Sequence, residues 1–324
     1  MFCGIVSLRR QMNEAGCAGI PFLFIVDYAM ERAFFTSSPF DDCGVLWNMG
    51  GHGNIEPSAQ RPSVSLKPVS APSEKEYAEA FATVRKGLLS GNSFLANLTW
   101  ATQVECSDLK DLLMAAKAPY RLLIPDEFVC FSPESFVKVS EKGTISTYPM
   151  KGTIKADRPD AYERLRDNEK EVSEHYTIVD LLRNDLSMVA TDVRVNRFRY
   201  FEKIETAKGP IYQTSSHISG LLPHGWQSRL GDIMLQLLPA GSICGAPKDS
   251  TLRLIRSAEQ SERGWYTGVF GFFDGKSLDS AVMIRCVQRH SDRCFYFHSG
   301  GGITANSDVS TEYAELLDKV YLTV

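Results

Sequence analysis

Several features that would class this 324-residue chain at once are missing from it. None of its eight cysteines (Cys3, Cys17, Cys43, Cys106, Cys130, Cys244, Cys286 and Cys294) forms a C-x-x-C pair. That excludes the usual zinc-ribbon and thioredoxin-like patterns. No long run of Lys and Arg occurs: the densest cluster, Arg194 to Arg199, is interleaved with Val195, Asn196 and Phe198 and reads as a half-exposed strand. With a formal net charge of -4, this argues against a nucleic-acid partner. The apolar run Phe22 to Val26 is far too short to span a bilayer, and Met1 to Val6 offers no signal-peptide core or cleavage site. The expectation is a soluble, cytoplasmic protein with reduced thiols and no membrane partner. Internal repeats and low-complexity segments are absent too.

What is present is enough apolar residue, 44% against 23% charged, to bury a sizeable core. The first seventy residues read as short strands with turns, and Pro57 to Pro72 as a connection. A helix begins near Ser73, with Tyr77, Phe81, Val84 and Leu88 at helical spacing and Gly91 as a stop. Ser93 to Val104 alternates like a strand, and Asp108 to Ala116 reads as a short helix. Short strands follow from Tyr120 to Tyr148, then a long helical region from Asp160 to Met188. Arg229 to Leu238 and Pro247 to Ser257 read as helices, with Pro247 suited to the first helical turn. Tyr266 to Phe273, Ser280 to Gln288 and Cys294 to His298 read as strands, and Asp308 to Val320 as a closing helix. Strands come in runs and do not alternate one for one with helices. This predicts an α+β fold with antiparallel sheets.

Some residues carry chemistry in this pattern. Glu312 and Glu315 lie three apart and share one helix face. With a third carboxylate such as Glu174 they suit Mg²⁺, though a solvated helix face explains the spacing equally well. The run Gly300-Gly301-Gly302 lets bare N–H groups approach a carboxylate, or makes a tight turn. Gly241 to Lys248 is not a Walker loop, because Ala246 and Pro247 precede Lys248; a glycine turn into a helix still suits an anion, with Ser242 inside it. Arg285, in the alternating run Val282 to Cys286, is a candidate carboxylate clamp or a structural ion pair. His217 is a candidate acid, base or substrate contact, although a lone histidine is more often structural. Glu134 is a general acid if buried, and otherwise a turn residue. Lys151, in Tyr148-Pro149-Met150-Lys151-Gly152-Thr153, stands between a strand and a long polar helix; alone it would mean nothing, but beside the paired glutamates, the glycine run and the Arg-bearing strand it bears on the chemistry of a pocket for a small anion.

Four blocks, in order, resemble the chorismate-utilising enzymes, which include anthranilate, aminodeoxychorismate, isochorismate and salicylate synthases. They are Pro149 to Thr153, Ile178 to Leu186, Gly241 to Lys248, and Gly300 to Ile303 with Glu312-Tyr313-x-Glu315-x-x-Asp318-Lys319. The resemblance runs from about Ser73 to the C-terminus. It implies two packed antiparallel β-sheets with helices on the outside. We expect one domain over 1–324, made of a strand-rich segment 1–72 and a catalytic core 73–324. By resemblance, Glu174, Glu312 and Glu315 hold Mg²⁺ against the ring carboxylate of chorismate. Tyr266, Arg285, Gly301 and Gly302 hold the enolpyruvyl carboxylate, and His217 and Lys319 line the ring side.

Lysine at position 151 is what the aminodeoxychorismate synthase branch carries; the other branches typically have alanine there. In that branch the amine adds at ring C2 as the C4 hydroxyl leaves, ammonia then displaces it, and Glu134 matches the proton donor. The resemblance therefore implies amination of chorismate toward 4-aminobenzoate and folate. Ammonia would come from a separate glutamine amidotransferase, since no glutaminase segment is recognisable. Anthranilate or isochorismate synthesis, or a non-catalytic chorismate-binding relative, are the alternatives. The chain departs from the family at Ile154-Lys155-Ala156, where an arginine is common, and at Ser187-Met188. The family's tryptophan-binding N-terminal segment is not found.

Overall fold

The computed structural model describes residues 1–56, 62–204, 209–291 and 294–321. Among these residues the strands form a ten-stranded and a nine-stranded sheet, with antiparallel pairing between neighbours. The strand Phe22–Val26 shows why the sheets lie where they do. All five of its residues are buried, which a strand with one wet face could not achieve. Phe22, Phe24 and Val26 pack with Leu8, Met12, Ile178 and Met234 of covering helices. Leu23 and Ile25 point the other way, to Trp47, Leu122 and Phe128 of the second sheet. Period-two alternation thus splits one apolar run between two cores. The second sheet is covered outside by Tyr77, Phe81 and Ile255 of two helices, and by Leu109, Leu112 and Leu113 of a third. The α+β architecture with helices outside is therefore what the sequence predicts.

Two of the points where the chain crosses between sheets lie side by side. Phe128–Ser132 belongs to the second sheet and Ser135–Val139 to the first, so Pro133-Glu134 is a crossover. Leu278–Val282 belongs to the first and Cys286–Ser291 to the second, so Met283 to Arg285 is another. The crossovers are tied together by Val282 N–H to the Glu134 carbonyl at 3.2 Å and Phe131 N–H to the Arg285 carbonyl at 3.1 Å. This corrects the expectation of a continuous strand over Ser280 to Gln288. Arg285 lies in a break, with a φ of 56°.

Other boundaries differ for local reasons. Ile5–Ala18 is a helix, not strands and turns; its buried Leu8, Met12, Ala15 and Gly16 fall at helical spacing, but polar residues fill the intervening positions. The region from Asp160 to Met188 is two helices, Ala161–Asp167 and Glu169–Ser187, parted where the Asn168 side chain accepts from Glu171 N–H and restarts the helix. Pro247 sits at the N-cap of Lys248–Ala258, one position before the first turn. The strand after Tyr266 starts at Val269. Within the connection expected from Pro57 to Pro72, residues 57–61 lie outside the described residues, and Leu66–Ser70 is a strand paired with Leu95–Cys106. The helix near Ser73 is as expected and carries a full capping box between Ser73 and Glu76. No helix among the described residues is long and apolar enough to cross a membrane.

The N-terminal helix packs against Leu230–Leu237 with backbones nearly touching: a Cβ on Gly231 would collide with the Arg9 carbonyl. Gly231→Ala should therefore cost about 1–3 kcal/mol of stability. Urea unfolding checks this; an unchanged midpoint would show that the two helices separate easily.

Candidate active site

Where the two sheets part, beside the crossovers, lies a cavity of about 620 Å³. Lys151, Glu134, Glu174, Arg285, Gly302 and Glu315 are among its walls. Each comes from a different part of the chain, so the fold alone assembles them.

Lys151 is aimed by a β-bulge. Met150 pairs with Ser215 and Thr153 with Gln213, which leaves an extra residue on the lysine strand, Met150–Lys155. Gly152 takes up the bend with a φ of 81°, a conformation that favours glycine. Behind the bulge the Lys151 carbonyl accepts from the Thr214 hydroxyl. The fully buried His175 ring also hydrogen-bonds the Lys151 main chain, and its Nε2 lies 2.6 Å from Ser216 Oγ. Burial, then the charge of Arg199, pushes the His175 pKa down to about 4, so this support is neutral at neutral pH.

The glycine run forms the opposing wall. It is not a turn: Cys294–Ile303 is one strand, paired through Gly300↔Thr99, Gly301↔Leu98 and Gly302↔Asn97. Its other neighbour, Cys286–Ser291, stops at the pair Cys286↔His298. From Ser299 onward that edge opens to the cavity. Gly300 turns its carbonyl outward, to Lys319 Nζ at 2.7 Å, and alternation puts the Gly302 N–H on the same open side. A Cβ on Gly301 would lie 3.4 Å from Glu312 Oε2, and one on Gly302 would lie 3.2 Å from Lys151 Nζ. The empty side of these glycines is the cavity itself.

Carboxylates and lysines interleave around this wall. Lys151 Nζ is 4.0 Å from Glu174 Oε2. Lys170 Nζ lies 3.8 Å from Glu174 and 3.3 Å from Glu312. Lys319 Nζ is 2.7 Å from Glu315. Burial pushes the Glu174 carboxyl up, with Lys151 opposing. For Glu315 burial also pushes up, but the charge and hydrogen bond of Lys319 outweigh it and the carboxyl is held low. Glu134 is driven up by burial and opposed by a hydrogen bond from Ser242, whose hydroxyl donates to Oε1 at 3.0 Å. A buried carboxyl with a raised pKa is a proton donor in waiting.

Arg285 donates to the Lys319 carbonyl at 2.6 Å and lies over the Tyr321 ring at 4.6 Å. Tyr266 is buried, its hydroxyl pushed up by desolvation, and packs on His298 with ring centroids 5.2 Å apart. His217 is the predicted residue that the fold does not bring here. It stacks on Tyr148 at 4.8 Å and lies 3.3 Å from Ser146 Oγ. Alternation is the reason: Thr214 and Ser216 take the face toward His175, so His217 takes the other. The sequence reading also missed Lys170, one turn before Glu174, and His298 and Asn97, whose strands gave no sign of which face meets the cavity.

A metal ion fits this donor set in one way. Among the described residues no three His, Cys, Asp or Glu side chains are gathered closely enough to hold an ion alone, and Lys170 stands between Glu174 and Glu312. Glu174, Glu312 and Glu315, the carboxylates expected to hold Mg²⁺, all line this cavity without forming a closed cluster. Hard oxygen donors along one wall still suit a cation that keeps waters and shares its shell with an anionic ligand, as Mg²⁺ does.

A cavity with three lysines, an arginine, an open strand edge and a buried acid defines a site for a small organic anion and proton transfer. The family of chorismate binding enzymes matches residues 41–323, and the chain belongs to that family. It is similar to an uncharacterized PabA-like protein of Haemophilus influenzae, 46% identical over 319 residues, which are 97% of this chain and 96% of that one. It is 32% identical over 263 residues to aminodeoxychorismate synthase component 1 of Salmonella typhimurium, covering 76% of this chain and 56% of that protein. Among solved structures, anthranilate synthase component I of Streptococcus pneumoniae aligns with a TM-score of 0.65 and 27% identity, over 80% of this chain and 59% of its own. The chain spans little more than half the length of the last two.

Burial, with a smaller push from Arg263, drives the His298 pKa down from 6.5 to about 3. Its folded pKa lies below its unfolded value, so the unfolded state takes up the proton first as pH falls. Stability should therefore drop from about pH 6.5 downward, and more gently in His298→Asn. Urea unfolding across that window checks the difference; parallel curves would mean that His298 is not buried as neutral imidazole.

Proposed function

We propose that this protein is the large subunit of an aminodeoxychorismate synthase, which converts chorismate and ammonia to 4-amino-4-deoxychorismate. The observation that carries the reading is the bulge that turns Lys151 toward the glycine wall, near both Glu174 and the buried Glu134. Anthranilate and isochorismate chemistry needs no amine there.

In this reading Arg285, Tyr266 and the open N–H of Gly302 hold the enolpyruvyl carboxylate, with Lys319 and Ser242 on the ring side. Glu174, Glu312 and Glu315 would hold Mg²⁺, which when bound supplies positive charge to the ring carboxylate. The neutral Lys151 amine forms a bond to ring C2 while both ring double bonds shift, C1=C2 to C6=C1 and C5=C6 to C4=C5, and the C4–O bond breaks. Glu134 gives its proton to the departing hydroxyl, which leaves as water. Ammonia then bonds to C4, both double bonds shift back, and Lys151 leaves C2 as a neutral amine. The surplus proton on the new amino group returns to Glu134. The sum is chorismate plus ammonia giving aminodeoxychorismate plus water. A separate glutamine amidotransferase in the cytoplasm would supply the ammonia, and the product would feed 4-aminobenzoate and folate formation. Segment 1–72 and the remainder act as one catalytic unit, because that segment contributes strands to both sheets.

Purified protein with chorismate, Mg²⁺ and an ammonium salt at mildly alkaline pH should give aminodeoxychorismate by mass and retention time. Anthranilate or isochorismate as the product would overturn the assignment. Lys151→Ala should lose the product and any lysine–ring adduct. Glu134→Gln should slow turnover by about 10²–10⁴-fold; full activity in either variant removes that residue from the mechanism. Calorimetric titration should show weaker Mg²⁺ binding by Glu315→Gln, and unchanged binding would take Glu315 out of the metal site.

A further inference from the structure

Asn97 is a cavity residue to which the mechanism above gives no task. It lies on Leu95–Cys106, directly across from Gly302, and lines the cavity. Its side-chain oxygen is buried and has no hydrogen-bond partner among the described residues. A buried acceptor left without a donor is costly and uncommon. In a binding cavity it calls for a ligand that brings an N–H or O–H.

The surroundings say which. Directly paired strand residues project to the same face, about 4.5–5.5 Å apart at Cβ. The place of the missing Cβ of Gly302 lies 3.2 Å from Lys151 Nζ and 3.0 Å from the Leu95 side chain. Glycine at 302 thus keeps side-chain bulk away from the Lys151 amine on the strand face that Asn97 shares, and both residues line the one cavity. The carboxamide is carried on a clamped strand. Arg263 donates to the Asn97 carbonyl at 2.7 Å and pairs with Glu259 at 2.6 Å. Glu259 in turn accepts from the Thr99 N–H and hydroxyl at 2.9 Å each. Arg263 is fully buried, so this clamp is rigid.

We infer that the Asn97 side-chain oxygen is the binding site for the ammonia that attacks the ring, an inference that rests on the Lys151 reading. A neutral acceptor is suited to this ligand. In the adduct the Lys151 nitrogen bound to C2 carries positive charge and repels ammonium, and ammonium has no lone pair to attack with. A carboxamide oxygen takes one N–H of neutral ammonia and leaves the lone pair directed at the ring. The pair forms the C4–N bond, both ring double bonds shift back, and the C2–Nζ bond breaks with its electrons returning to Lys151. The extra proton of the new ammonium group passes to the Glu134 carboxylate.

The test is initial-rate kinetics of the full chain with Mg²⁺, varying ammonium chloride and chorismate separately, for wild type, Asn97→Leu and Asn97→Asp. In Asn97→Leu the half-saturating ammonium concentration should rise about tenfold, as expected for one lost buried hydrogen bond. The half-saturating chorismate concentration should stay within about twofold, because the change removes binding of only one substrate. Asn97→Asp keeps the oxygen and adds charge, so it should saturate at lower ammonium yet turn over more slowly, because it holds the cation. Unchanged ammonium dependence in both variants overturns the inference. So does a rise confined to chorismate, which would give Asn97 to a ring hydroxyl. Mass spectrometry of the Lys151 adduct separates the two levels. Adduct in the wild type with unchanged ammonium dependence in the variants sinks the Asn97 site alone, whereas no adduct and no ammonium-dependent product sinks the Lys151 reading beneath it.

Discussion

A β-strand whose neighbour stops short must find other partners for its N–H and C=O groups. That constraint organises this molecule. Cys286–Ser291 covers one edge of the glycine strand only as far as His298, because at Arg285 the chain leaves for the other sheet. Beyond that point the edge from Ser299 to Ile303 is unpaired, and the sheets have parted. One of its carbonyls is satisfied by Lys319, and others face the cavity. The crossover that opens the gap also places Arg285 and Glu134 beside it, tied to each other's strands by backbone hydrogen bonds. Site and topology have one cause.

The charges there are balanced pairwise. Glu174, Glu312 and Glu315 each meet a lysine within 4 Å, so no carboxylate faces low dielectric alone. Lys170 bridging Glu174 and Glu312 occupies ground that a cation would take. Binding an anion with a cation exchanges these pairs for others without leaving a charge uncompensated. Glu134 differs: burial pushes its carboxyl up, and the group that hydrogen-bonds it is a neutral hydroxyl, Ser242.

Much of the fold was legible because local rules apply to it. The helical spacing of Tyr77, Phe81, Val84 and Leu88 announced a helix, the proline and glycine breaks from Tyr120 to Tyr148 announced short strands, and runs of strands announced antiparallel sheets. The N-terminal helix was not, because its apolar residues are few and Gly4 makes no side-chain cap. The crossover at Arg285 was hidden because Val282 to Cys286 alternates as an uninterrupted strand would. Family motifs located Lys151, Glu174, Glu312, Glu315 and the glycines, but His217 was placed on the wrong side for lack of the register that turns Thr214 and Ser216 inward.

By itself, the sequence determined which chemical groups are available and which segments are helix or strand, since residue type and periodicity act over a few neighbours. It also determined the family, through short blocks read in order. The tertiary structure alone decided which groups meet. The aim of Lys151 depends on pairing with Ser215 and Gln213 more than sixty residues later. The pairing of Lys170 with Glu312 spans 142 residues. Asn97, with its unpartnered oxygen, meets Gly302 across a pairing of more than two hundred residues. Contacts of that range follow from strand register and sheet order, which long-range packing sets and local sequence does not.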